Sequence, residues 1–205
     1  RYNIIYEPQL GQTFAPENFN AGFHLFDKID SLVIPKRIIR KDHNYAKVIN
    51  PIYRLGKLFL TNYLITDLVM TMNHERFGHG YRILESEGGI NEIVYNPPPP
   101  FSNEFSFLSQ IYPTNYTIQQ ELMLRLGGSE TNLVLTDITR KNMLLDEKFS
   151  YNFSLAYLYG SNDMPGYTAF VTAPAGDPNQ YRNTLNYFYG EENLTRKKMR
   201  TYAFF

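Results

Sequence analysis

The chain has 205 residues, enough to bury a sizeable core within a single domain. Its 20 Lys and Arg balance 20 Asp and Glu, which removes the global electrostatic case for nucleic acid or an anionic membrane and leaves Lys36-Arg37, Arg40-Lys41 and the basic run 196–200 as solvated faces. Cysteine is absent, which excludes disulfides, thiolate metal sites and thiol nucleophiles, and leaves histidine and carboxylate as the ligands for any metal.

Residues 1–49 read as an irregular N-terminal segment, punctuated by Pro8, Gly11, Pro16 and Gly22. Phe14, Phe19, Phe23 and Phe26 are available to pin it onto a core. The apolar run from Asp30 to Pro35 reads as a short strand or an extended approach. His24 and His43 read as ordinary hydrogen-bonded histidines.

Asn50-Pro51 is a helix start, with Asn as N-cap and Pro at the first helical position. From Ile52 an apolar run leads to Met72 and then through a histidine-bearing stretch to Gly88-Gly89, a stop. A central motif helix is therefore expected over 50–89, either one long helix or two broken near Gly56. Apolar side chains around most of its circumference predict burial. Lys57, Asn62 and Asp67 within the run argue against a membrane span, and no transmembrane segment is expected. Asp67 needs a partner in such surroundings. It lies seven positions before His74, on the same face two turns away, so it either orients a ligand from outside the metal's own shell or pairs structurally.

A small antiparallel sheet is expected over 90–112, from strands at 91–95 and 104–110 separated by the polyproline run 97–100. The part from 116 to 205 reads as helical: 117–126 closed by Gly127-Gly128, a second helix from Glu130 to about Leu145 capped by Ser129, then 150–159 and 178–189 with Gly160 and Gly190 as stops, and a last helix over 193–205. Residues 163–179, with three prolines and two glycines, read as a loop. The fold expectation is mainly α (α+β), a single domain organised on a buried central helix.

The chemistry is concentrated in Asn73-His74-Glu75-Arg76-Phe77-Gly78-His79-Gly80, which holds two of the four histidines and a carboxylate. In H-E-x-x-H the histidines stand one helical turn apart with the glutamate as general base. Here one more residue intervenes. Positions five apart differ by about 140° around a regular helix, so both imidazoles can reach one ion only if a π-turn absorbs the extra residue, with Gly78 a plausible place for it.

His74-Glu75-Arg76-Phe77-Gly78-His79 resembles the H-E-x-x-G-H motif of the dipeptidyl peptidase III family of zinc peptidases. The resemblance implies a zincin-like fold of the gluzincin kind, zinc as cofactor, His74 and His79 as ligands, Glu75 as the residue that activates water, and a glutamate on a later helix as third ligand. The family's second motif, E-E-x-x-x-E, has no counterpart; the closest substitute is the segment 127–132, Gly-Gly-Ser-Glu-Thr-Asn. Glu130 is the expected third ligand because two glycines allow close helix approach and Ser129 starts a helix. Glu85 and Glu87 lie too far along the motif helix, and Glu121 lacks a distinguishing context. Asp137, on the face of Glu130, is expected to support the ligands, while Tyr81, Arg82 and Arg140 are candidates for stabilising an oxyanion.

The functional expectation is a zinc-dependent hydrolase, a peptidase acting on a peptide or protein substrate. The competing reading is a non-catalytic α-rich binding or structural domain with an aromatic surface, drawn from its 17 Tyr and 15 Phe, with or without a structural metal. Arg1 in place of Met and the apolar end at Phe204-Phe205 are read as marks of a piece of a longer protein, and the missing cysteines as a pointer to an extracytoplasmic or envelope location.

Overall fold

The computed structural model describes residues 4–7, 11–33, 46–145, 150–190 and 193–203. The protein is mainly helical, with one two-stranded antiparallel sheet among the described residues.

Helix α1, Phe14–Val33, replaces the irregular segment expected near the N-terminus. Pro16 lies in its first turn, where no intrahelical N–H is needed, so it starts the helix rather than breaking the chain. Phe23 is fully buried and meets the ring of Phe153 at 6.0 Å. Residues 30–33, expected to be extended, are its last turn. Pro35 and His43 lie outside the described residues.

Helix α2 runs without interruption over 46–85 in five segments: Ala46–Lys57, Leu58–Asn62, Tyr63–Met72, Asn73–His79 and Gly80–Glu85. The second and fourth are π-helical. The helix begins before the Asn50-Pro51 start expected for it, with Pro51 inside. It ends where Glu87 turns to φ +63° and Gly88 N–H bonds Ile83 C=O at 2.9 Å, reversing the chain into the sheet. Strand β1 (Gly89–Val94) pairs antiparallel with β2 (Phe107–Ile111), with Ile93 opposite Leu108. The sheet lies against α2 at Gly80, where a β-carbon would stand 2.9 Å from Ile90 Cδ1.

Helix α3, Ile118–Leu145, passes straight through Gly127-Gly128, where two helices had been expected. A β-carbon on Gly78 would lie 2.5 Å from Gly128 Cα. The glycines are therefore a point of backbone contact between α2 and α3, not a stop. Helix α4, Tyr151–Phe170, is capped by Ser150, which accepts from Phe153 N–H, and continues through Gly160 and Pro165 into what read as loop. Helix α5, Asp177–Tyr189, has Pro178 in its first turn and ends at Gly190 with φ +69°, as the Gly190 stop anticipated. Helix α6 is Arg196–Tyr202.

Phe23, Phe153 and Ala156 form an apolar core with Ile65, Val69 and Met143 against it. Beside it the interior is polar. Asn62 donates to Asn152, which donates to Asp27, at 2.6 and 2.7 Å. Among the described residues no helix is long and apolar enough to cross a membrane.

Candidate metal centre

The π-helical turn Asn73–His79 brings His74 and His79 to one side of α2. Their Nε2 atoms stand 3.2 Å apart, and Asp177 Oδ2, from the first turn of α5, stands 3.1 Å from His79 Nε2 and 3.7 Å from His74 Nε2. Zinc bonds of about 2.0–2.1 Å in a tetrahedron place neighbouring ligand atoms ~3.3–3.4 Å apart. The three atoms thus have the spacing of one tetrahedral face, and they form the one such His/Asp/Glu group among the described residues.

The opposite ring nitrogens are committed elsewhere. His79 Nδ1 lies 2.6 Å from Leu124 C=O, which can only accept, so this nitrogen carries the proton. His74 Nδ1 faces Asp163 Oδ2 at 3.7 Å. Asp163 accepts from Asn132, and Asn132 from Asn73, at 3.1 and 2.9 Å. Asp177 divides its oxygens: Oδ2 faces the imidazoles, while Oδ1 lies 3.5 Å from Arg125. The Tyr167 hydroxyl lies 3.4 Å from Asp177 Oδ2. Gly128 opens the space for His74, since a β-carbon there would stand 2.5 Å from His74 Nε2.

The electrostatics follow. Burial disfavours a charged His74, but Asp163 and Asp177 outweigh it and hold the imidazole's pKa well above its ordinary value. Burial also works against ionised Asp177 and Asp163, yet His79 and His74 pull Asp177, and His74 with Asn132 and Ser129 pulls Asp163, below the usual carboxylate range. Burial pushes the Glu75 carboxyl up, opposed by His74, His79 and the N–H of Leu108 on β2. Two Nε2 lone pairs this close repel unless a proton or a metal cation stands between them, so the cluster is built to surround positive charge.

Of the residues expected from sequence, His74, Glu75 and His79 come together here. Glu130 does not: it pairs with Arg82 at 2.9 Å on a 43% exposed side chain, and Asp177 is the acid at the imidazoles. The reason is helical phase. Gly128 faces His74, and Glu130, two positions on, is turned about 200° away. Asp137 is also remote, paired at the surface with Arg140 at 2.6 Å and Lys141 at 2.5 Å. Asp67 is buried but accepts from Tyr159 and Tyr95, at 2.8 and 3.4 Å, rather than orienting a histidine. Arg82 is held by Glu85 and Glu130, Arg140 by Asp137, and Tyr81 packs beside Gly11. The cation and hydroxyl at the cluster are Arg125 and Tyr167.

Asp177 and Asp163 both fell in the stretch read as a loop. The one local signal was Asp177-Pro178 after Gly176, which marks a helix start with an acid in its first turn. Compared with family models, with curated proteins and with solved structures, the chain finds no match.

Proposed function

We propose that the protein is a zinc-dependent hydrolase of zincin-like design, a peptidase, in which His74, His79 and Asp177 hold the metal and Glu75 is the general base. The observation that carries this reading is the convergence of two Nε2 atoms and one carboxylate oxygen at 3.1–3.7 Å, with both Nδ1 atoms turned to acceptors. Such second partners fix the tautomer of ligand histidines in metal sites. Histidine and carboxylate without thiolate suit zinc, and three protein ligands leave a fourth position open. Bound zinc would supply Lewis acidity, lowering the pKa of a water and polarising a substrate carbonyl.

The chain's own residues do the rest. Glu75, adjacent to a ligand and steadied by Leu108 N–H, accepts the proton of the attacking water and delivers it to the departing amine. Arg125 and Tyr167 hold Asp177 in place, and their donors are the ones available to a developing oxyanion. The resemblance of His74–His79 to the H-E-x-x-G-H peptidases supports the same assignment.

The test is a pair of measurements on the purified chain. About one zinc per chain is expected from elemental analysis, and Glu75→Gln should keep it while losing ~10²–10⁴-fold in peptide hydrolysis. Absence of stoichiometric metal after zinc is added back would overturn the reading. A structural metal is the second reading, favoured by the low exposure of His74, His79 and Asp177 (13, 7 and 16%). It predicts full zinc loading and no hydrolysis by the unmodified chain.

A further inference from the structure

Asp177 offers the imidazoles one oxygen and keeps the other elsewhere. Oδ2 stands 3.1 and 3.7 Å from the two Nε2 atoms, while Oδ1 pairs with Arg125 Nη1 at 3.5 Å. Arg125 is itself held. Its Nε and Nη2 lie 2.8 and 2.7 Å from Glu121 Oε1, and Nη2 also donates to the Tyr112 hydroxyl at 3.0 Å. With that edge of the planar fork taken, Nη1 is the nitrogen left to face Asp177. Glu121 and Arg125 stand four apart on α3, so they share a face. Leu124, whose C=O holds His79, lies in the same turn. The pair differs from the other ion pairs further along this helix. Its side chains are 19 and 13% exposed, against 41–64% for Asp137 with Arg140 and Lys141. A solvated pair contributes little, whereas breaking a shielded one leaves a charge without its partner.

We propose that Glu121 is a positioning residue for the metal centre: by aiming Arg125 it holds Asp177 Oδ1 back, so that Asp177 binds through Oδ2 alone. The inference rests on the assignment of His74, His79 and Asp177 as ligands. A carboxylate can bind a metal through one oxygen or two. A second oxygen from Asp177 would fill the position that water needs. Without Glu121 nothing fixes the Nε edge of the fork, and Oδ1 is released to swing onto the ion.

The experiment loads the 205-residue chain with Co(II) in place of zinc, because its visible band is intense in a four-coordinate site and weak at higher coordination. The unmodified chain is expected to show the intense band. Glu121→Ala should bind about one cobalt per chain at unchanged helicity and show the weak band, and its zinc form should lose ~10–100-fold in peptide hydrolysis. Glu121→Gln keeps an accepting oxygen and should keep the intense band. Arg125→Lys keeps the charge but not the fork, and should behave like Glu121→Ala. The double variant should lose no more than either alone. Lys141→Ala, which breaks a pair of the same spacing at the other end of α3, should match the unmodified chain. An intense band in either folded single variant, Glu121→Ala or Arg125→Lys, would overturn the proposal and leave the metal centre standing. An unmodified chain that takes up no cobalt would overturn both.

Discussion

Two buried carboxylates show how differently the interior treats the same group. Asp67 lies on α2 and Asp177, from the first turn of α5, faces it, and both accept from tyrosine hydroxyls. Asp177 also faces two imidazoles and Arg125, and its pKa falls well below the ordinary range. Asp67 faces the hydroxyls of Tyr159 and Tyr95, and burial pushes its pKa up despite them. A hydroxyl can satisfy a carboxylate's geometry but cannot offset its charge. The contrast marks one acid as built for a cation and the other as a structural group that folding would rather protonate.

The largest effect expected is from Asp177→Asn, which keeps the shape and removes the charge. Zinc affinity, measured by competition with a chromophoric chelator, should fall by more than the ~10–100-fold typical of partners outside the ligand set. Unchanged affinity would break the contrast at its stronger end. Asp163→Asn tests the support of His74 and should cost ~10–100-fold in the same assay.

Asp67→Asn sharpens the weaker end. A raised folded-state pKa means that folding favours the protonated acid, so its contribution is full below the unfolded pKa and is lost as pH rises through the folded value. The amide variant should therefore match the unmodified chain in acid and exceed it at neutral pH, by on the order of 1 kcal/mol in denaturant unfolding. A variant less stable at neutral pH than in acid, relative to the unmodified chain, would contradict this. The smallest effect is assigned to Glu130→Ala. Its pair with Arg82 is largely solvated and worth ~0.2–1 kcal/mol, and zinc affinity should stay as it was.

The features legible in the sequence were those set by local geometry. Histidines five apart can meet one ion only through a wider turn, and Asn73–His79 is π-helical. The paired strands were visible from alternation, though β1 starts earlier and β2 later than read. What failed were residues whose meaning depends on a distant neighbour. Gly127-Gly128 looks the same whether it ends a helix or admits another backbone, and only the approach of Gly78 and His74 decides. Pro16 and Pro165 looked like breaks but sit within α1 and α4. Asp177 stands 98 residues from His79, and no periodicity connects them.

The π-helical turn has a consequence for how this motif can change over generations. Each residue added to a regular helix rotates everything after it by about 100°, but a π-turn widens to take the extra residue and leaves the register beyond it unchanged. Downstream of His79 lie Gly80, beneath the sheet, and Ile83, with no exposed surface. Deleting one residue between the histidines would therefore create the four-residue spacing within a regular helix and leave Gly80 beneath Ile90 and Ile83 in the interior. The packing that follows the motif therefore does not hold its length, and a single-residue deletion there should leave the fold intact and change only how the two imidazoles face each other.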